Sequence, residues 1–324
     1  MAIQTNSDTL ITVFGGSGFL GRHVVRALAK RRYRIRVAVR RPELANYLQP
    51  LGTVGQIQAV QANLRYPASV EAAIRDASVA INLVGILFER GRQSFEAVQH
   101  FGAEQVALAA NAHGARLLHV SAIGADEHSS SLYAQSKARG EQAVRAASPG
   151  AVIVRPSVVF GPEDDFFNRF GSLARFLPVL PLIGGGQTRL QPVYVVDVAE
   201  AIANLVESGA GAGKTYEFGG PEVSTMREIM EYVLAVTERR RLLMPLPFGL
   251  AKVQAWFTQF LPNPPLTPDQ VELLRTDNVV SEEAIRTHRT LQGVGIAPAS
   301  YEAIVPSYLW RFRKTGQFRT GRFA

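Results

Sequence analysis

Tyr133 and Lys137 are separated by three residues in Tyr133-Ala134-Gln135-Ser136-Lys137, a stretch that reads as the opening of a helix. Positions i and i+4 share a helix face, so the phenol and the ammonium can point into one cleft. A neighbouring ammonium lowers a tyrosine pKa towards the range useful for acid–base work. A third group would be Ser121, which ends the apolar run Leu117-Leu118-His119-Val120-Ser121-Ala122, where its hydroxyl could polarise a carbonyl oxygen. The Tyr–Lys pair can equally do no more than hydrogen-bond a bound ribose. The spacing therefore points to ligand binding, with catalysis as the further step.

The ligand is indicated by Gly15-Gly16-Ser17-Gly18-Phe19-Leu20-Gly21, which follows the apolar run Leu10-Ile11-Thr12-Val13-Phe14 and leads into a helix. Strand, glycine turn and helix together form a site for a dinucleotide pyrophosphate. Gly15 allows the sharp turn, Gly18 lets the backbone approach the phosphates, and Gly21 lets helix and strand pack closely. Ser17, Phe19 and Leu20 contribute backbone at the helix start, where unpaired N–H groups and the positive dipole end favour phosphate. The second strand, Arg34 to Val39, ends in Arg40-Arg41, and the first acid after it is Glu43. A carboxylate there would hold a ribose 2′-hydroxyl; two guanidiniums match a 2′-phosphate, which favours NADP(H) over NAD(H). The plainer reading of Arg40-Arg41 is a solvated basic turn. Asn63-Leu64 after the third strand, and Val84-Gly85 in Asn82-Leu83-Val84-Gly85 after the fourth, lie where the adenine and the nicotinamide-side ribose would pass.

Apolar runs alternate with helical patterns at βαβ spacing. Strands are expected at 9–14, 34–39, 57–61, 79–84, 115–121, 151–155 and about 191–195, and helices at 19–31, 67–76, 93–113, 132–147 and 197–207. The fold class is α/β, a Rossmann-type doubly wound parallel sheet with a smaller C-terminal lobe. Residues 1–160 would form the dinucleotide-binding domain, with 190–210 returning to it. Residues 161–189 and 211–300 would form the lobe, with a short strand near 215–218 and a helix from Thr225 to Glu238. Asp164-Asp165 reads as a solvated turn. Residues 301–324 form a basic aromatic tail, in which Arg311, Arg313, Lys314, Arg319 and Arg322 interleave with Tyr308, Trp310, Phe312, Phe318 and Phe323. Such a tail suits an anionic membrane surface or an acidic partner, or is simply a solvated end. Between Pro247 and Pro262, Leu250, Val253, Trp256, Phe257 and Phe260 recur at helical spacing. A helix this apolar is either buried or lies on a membrane or partner.

Composition narrows the function classes. The chain has 324 residues, a net charge of +8, six histidines and no cysteine. Disulfides, thiolate nucleophiles and Cys-ligated metals are excluded, and the scattered histidines suggest no metal site. No stretch is long and apolar enough to span a membrane, and the polar start lacks a signal core. A cytoplasmic location is expected, peripheral on the inner face of an energy-transducing membrane. No helix-turn-helix or other nucleic-acid motif is present, so neither a nucleic-acid partner nor a dinucleotide-sensing regulator finds support.

Over residues 9 to 240 the chain resembles the short-chain dehydrogenase/reductases of the extended or atypical type. The resemblance is carried by the glycine turn, Asn82-Leu83-Val84-Gly85 and Tyr133-x-x-x-Lys137. Two further blocks, Val154-Arg155-Pro156-Ser157-Val158-Val159-Phe160-Gly161-Pro162 and Val193-Tyr194-Val195-Val196-Asp197-Val198-Ala199-Glu200-Ala201, extend it. It implies that Pro156 and Val158 present backbone to the nicotinamide. More closely, Phe14 to Val25, Ala38-Val39-Arg40-Arg41-Pro42 and Ser121-Ala122-Ile123-Gly124-Ala125-Asp126 resemble the NADPH-binding accessory subunits of respiratory complex I and their bacterial relatives. That likeness implies a tightly held structural NADPH, with complex I subunits and the membrane surface as partners of the C-terminal lobe and tail. One departure matters. Family members carry two or three Ser/Thr after the fifth strand, whereas here Ser121 is followed by Ala122. The alternative implied is an active NADP-dependent oxidoreductase, epimerase or dehydratase using Tyr133, Lys137 and Ser121.

Overall fold

The computed structural model describes residues 6–261 and 264–316. Its first strand, β1 (Leu10–Phe14), leads through the glycine turn into α1 (Phe19–Lys30). There follow β2 (Arg34–Val39), β3 (Ile57–Gln61), α2 (Pro67–Ile74), β4 (Val79–Asn82), α3 (Phe101–Ala112), β5 (Arg116–Val120), α4 (Leu132–Ala147) and β6 (Val152–Pro156). The chain continues through β7 (Val159–Phe160), α5 (Phe167–Phe176), β8 (Val179–Ile183), β9 (Arg189–Leu190), β10 (Val193–Tyr194), α6 (Val195–Ser208) and β11 (Thr215–Phe218). It ends with β12 (Ser224–Thr225), α7 (Met226–Val236), β13 (Leu242–Leu246), α8 (Phe248–Thr258), α9 (Pro268–Leu273), α10 (Glu282–Arg286), α11 (Tyr301–Ile304) and α12 (Pro306–Leu309).

These elements fall into two compact units. The first holds the chain up to Pro156, Val195–Phe218 and Ser281–Ala297; the second holds Ser157–Tyr194, Gly219–Val280 and the chain from Pro298 on.

In the first unit a seven-stranded sheet runs in the order β3-β2-β1-β4-β5-β6-β11, with every pairing parallel. Strands in such a sheet are covered on both faces, which is why β1 and β4 read as continuous apolar runs rather than alternating ones. Phe14 lies opposite both Ala38 and Asn82, so β1, β2 and β4 end on one edge. The strand order reverses between β1 and β4, the point in an open α/β sheet where a crevice forms outside the strand ends. Phe14, Leu64, Val70, Ile74, Val106, Leu117 and Val144 pack into one core cluster of this unit.

The expected strands and helices are found, with three differences. Residues 96–100 of the expected helix 93–113 form a π-helical turn before α3. A ten-residue 3-10 run, Pro42–Leu51, occupies what the pattern left as loop. The expected strand at 191–195 shrinks to β10, because Val195 already starts α6.

The partition also differs from the expected domains. β11 was placed in the lobe, yet it pairs along β6 from Thr215↔Ile153 to Phe218↔Pro156 and so covers an otherwise open sheet edge. Ser281–Ala297 joins the same unit, with the Glu217 N–H donating to the Arg289 carbonyl at 2.9 Å.

The second unit is built around Phe160, Phe167, Leu180, Leu182, Ile229, Met230 and Val233. Tyr301, Val305, Tyr308 and Leu309 belong to the same cluster. These four tail residues are therefore core, while Arg311 and Lys314 are exposed. Tyr308 donates its hydroxyl to Asp164 Oδ2 at 2.7 Å, and Asp164 accepts further bonds from the Gly161 and Asn168 N–H groups. Asp164 is buried, not a solvated turn, and desolvation raises its pKa. Phe318, Arg319, Arg322 and Phe323 lie outside the described residues.

Candidate functional site

The glycine turn is shaped by close backbone approach. Gly15 sits at φ +77°, and a Cβ on it would meet Val84 Cγ2 at 3.2 Å. A Cβ on Gly21 would lie 2.2 Å from the Gly15 carbonyl oxygen, so α1 presses directly on the turn. Gly18 is the N-cap of α1 and supplies no side-chain oxygen to the first-turn N–H groups. Those donors open at the sheet edge where β1 and β4 end, an arrangement suited to an anion.

Arg40 and Arg41 follow β2 on the same edge. Both are exposed, and neither guanidinium has a hydrogen-bond or ion-pair partner among the described residues. Two further residues, missed from the sequence, brace the turn. Tyr47, on the 3-10 run, donates its hydroxyl to the Ser17 carbonyl at 2.6 Å, and Arg22 lies over the Tyr47 ring at 5.6 Å. Arg22 directly follows the motif and could have been noticed. Tyr47 could not, because nothing local links it to a residue thirty positions earlier.

The ends of β4 and β5 hold a buried polar cluster. The Val84 N–H donates to Asn82 Oδ1 at 3.1 Å, which leaves the Asn82 amide to donate to His119 Nδ1 at 3.2 Å. His119 is fully buried, and desolvation, aided by Lys137, lowers its pKa to about 3, so the imidazole is neutral. This Asn–His link was not foreseen.

Ser131 caps α4 by accepting the Ala134 N–H at 3.2 Å, which places Tyr133 and Lys137 on its first turns. Lys137 Nζ donates to the Val120 carbonyl at 3.4 Å and lies 5.9 Å from the Tyr133 ring centre. It also closes on Gly85, where a Cβ would stand 3.2 Å from Nζ. Phe95 meets the Tyr133 ring edge-on at 6.0 Å. Ser136 donates to Gln99 Oε1 at 2.9 Å, tying α4 to the π-helical turn. Ser121, which follows Val120, is buried, and its Oγ has no hydrogen-bond partner among the described residues. A buried hydroxyl left unpaired costs about 1–3 kcal/mol, and a ligand oxygen or water would remove that cost.

Desolvation lowers the Lys137 pKa from 10.5 to about 8, with Glu141 partly opposing the shift. Between those values the unfolded chain binds the proton and the folded chain does not. Stability of the ligand-free protein is therefore expected to rise as pH rises from about 8 to about 10.5, by at most about 3 kcal/mol. Denaturant unfolding at pH 7.5 and 10, compared with Lys137→Met, checks this; an identical pH response in the variant would refute it.

The remaining predicted residues are placed less uniformly. Asn63 Oδ1 accepts the Arg65 N–H at 3.2 Å, and Leu64 is buried in the core cluster, so Leu64 offers backbone rather than side chain. Val84 packs partly buried against the same cluster. Pro156 ends β6, and its carbonyl accepts the Ile123 N–H at 3.1 Å. Val158 belongs to the second unit and packs on that unit's own core. No group of His, Asp or Glu capable of holding a metal is found among the described residues.

The family model for the NAD dependent epimerase/dehydratase family matches residues 11–219. A relative from Arabidopsis thaliana, NADH dehydrogenase [ubiquinone] 1 alpha subcomplex subunit 9, mitochondrial, is 38% identical over 96% of this chain and 79% of its own. A ceramide reductase from Caulobacter vibrioides is 38% identical over 63% of this chain and 62% of its own. Among solved structures, the Citrobacter sp. triphenylmethane reductase complexed with NADP(H) superposes with a TM-score of 0.72. It has 17% identity and covers 92% of this chain and 99% of that one, a likeness of fold alone.

Proposed function

The chain belongs to the NAD dependent epimerase/dehydratase family, and from that premise we propose that it is an accessory subunit of respiratory complex I holding a tightly bound NADP(H). The observation that carries the partner is the 38% identity, sustained over 96% of the chain, to a complex I subunit rather than to an isolated enzyme. The subunit would attach peripherally, on the inner face of the membrane; no described helix is long and apolar enough to cross one.

The residues present fit a dinucleotide. The first-turn N–H groups of α1, reached over Gly15, Ser17, Gly18, Phe19, Leu20 and Gly21, would take the pyrophosphate. The unpaired Arg40 and Arg41 would take the 2′-phosphate and so decide NADP(H) over NAD(H). Asn63 and the Leu64 backbone would border the adenine. Val84, Gly85, Tyr133 and Lys137 would hold the nicotinamide-side ribose, with the Pro156 backbone beyond it. When bound, the cofactor supplies a hydride donor or acceptor. The purified protein is expected to keep NADPH fluorescence through gel filtration. Ready exchange with added NADH would count against a structural cofactor.

One observation favours a second reading. The orphaned Ser121 hydroxyl, one residue past the carbonyl that Lys137 engages, is what a carbonyl-reducing site would need: Ser121 would donate to the carbonyl oxygen, Tyr133 would deliver a proton to it, and Lys137 would orient the ribose. The ceramide reductase relative points the same way. On this reading Tyr133→Phe abolishes NADPH oxidation by a ketone panel, and Ser121→Ala slows it by about 100-fold. Cofactor binding is retained in both. A panel without any turnover removes the reading.

A further inference from the structure

The second unit presents a face that its own fold leaves uncovered. α8 is apolar on two sides. Ala251 and Ala255 are fully buried against Val271 of α9, with Ile183, Leu246 and Leu266 around them. On the other side Leu250, Val253, Trp256 and Phe257 span an arc of about 120°. Phe260 and Leu261 continue the surface past the helix end, and all six side chains are more than half exposed. Trp256 meets Phe257 and Phe260 edge-on at 4.9 and 5.8 Å, so the aromatic rings form one cluster. Contiguous exposed apolar surface of this kind on a folded protein marks an interaction site.

β13, which leads directly into α8, is also partly uncovered. Leu242 and Met244 are exposed along it, and Leu242 pairs in register with Val179, next to the exposed Phe176 and Leu177. Arg239, Arg240 and Arg241 precede this strand, and Arg241 Nε donates to the Ala174 carbonyl beside Arg175. None of these four guanidiniums pairs with a carboxylate among the described residues; Arg239 and Arg241 bond to carbonyls, which leaves their charge uncompensated. Between Glu238 and Asp269 the chain carries four basic residues and no acid. Lys252 is the one basic group on α8, and Glu272 engages it at 2.8 Å.

We propose that this face seats the protein in the headgroup layer of an anionic phospholipid bilayer, with Leu250, Val253, Trp256, Phe257 and Phe260 entering the acyl boundary and Arg175 and Arg239–Arg241 lying against headgroup phosphates. Pro247 and Pro262 bracket the helix, and its eleven residues are far too few to span a bilayer, so it lies in the plane. Aromatic and basic residues together with an absence of acids suit a lipid surface better than a protein partner, which would have to supply both an apolar groove and carboxylates. The site is separate from the contact expected of the tail, in which Tyr308 and Leu309 are spent on the core. It stands independently of the cofactor and of complex I.

The test uses the purified full chain in a Trp310→Phe background, which leaves Trp256 as the only indole. Extruded vesicles of phosphatidylcholine alone, and of phosphatidylcholine with 30% phosphatidylglycerol as a probe composition of about this charge, are compared by co-sedimentation and Trp256 emission. The expected result is binding to the anionic vesicles with a blue-shifted Trp256, weakened at least about tenfold by Phe257→Glu. Arg240→Glu should weaken binding to the anionic vesicles and leave any binding to neutral ones unchanged. An unchanged circular dichroism spectrum and melting temperature for each variant, read separately, show that the fold is intact. No vesicle binding, or a wild-type dimer in gel filtration that Phe257→Glu converts to monomer, overturns the proposal; the dimer would assign the face to a second copy of the chain.

Discussion

Gly21→Val is expected to abolish dinucleotide binding and to lower stability by about 3 kcal/mol or more. A Cβ at this position would stand 2.2 Å from the Gly15 carbonyl oxygen and 2.7 Å from Gly16 backbone atoms. All of these are backbone, so no rotamer can relieve the clash. α1 must move off the turn, and Val24, Val25 and Leu28, all fully buried on that helix, lose their packing with it. The first-turn N–H groups leave the sheet edge at the same time. A melting temperature lowered by about 6–12 °C follows for a unit of this size. Gly18→Ala is the control: its Cβ meets only the Gly15 oxygen, at 3.3 Å. It should therefore weaken NADPH binding while leaving the melting temperature nearly unchanged. A Gly21→Val protein that still binds NADPH with wild-type affinity would show that the turn is only a structural corner.

The double variant Arg40→Asp, Arg41→Asp is expected to weaken NADPH binding by about 100-fold or more, because each charge-assisted bond contributes about 1.5–3 kcal/mol. Binding of NADH should change little or improve, since carboxylates at the end of β2 can accept from a ribose 2′-hydroxyl. Both side chains are exposed and unpaired among the described residues, so the melting temperature should be unaffected. Fluorescence titration with both cofactors reads the ratio directly. An equal loss for NADPH and NADH would mean that the arginines attract phosphate in general and do not choose the cofactor.

Much of the first unit was legible because its physics is local. Strands covered on both faces read as near-continuous apolar runs; β1 and β4 show this, and β2, β5 and β6 keep an apolar majority around Arg36, His119 and Arg155, all at βαβ spacing. The turn at 15–21 announced itself through glycines whose missing Cβ atoms the structure shows would clash. The register of Tyr133 and Lys137 followed from helix geometry once Ser131 capped α4.

What stayed hidden depends on contacts distant in sequence. The four residues of β11 do not say which strand they will pair, and they were assigned to the lobe although they extend the main sheet. Asp164 looked solvated because its partner, Tyr308, lies 144 residues away. The Asn82–His119 link joins two strands that only the fold brings together. The periodicity of 248–261 showed an apolar helix but not which face is covered, because α9 covers one side and leaves the other open.

The central claim is that this chain carries NADP(H) as a resident of complex I. The most direct measurement is to isolate the tagged chain from membranes of its own host under mild detergent, assay the eluate for NADH:ubiquinone oxidoreductase activity, and quantify the nucleotide released by denaturation. The account predicts that the activity co-isolates and that about one NADPH is released per chain, with little NADH. A chain that elutes without that activity, carrying no nucleotide or one that exchanges freely, would contradict it.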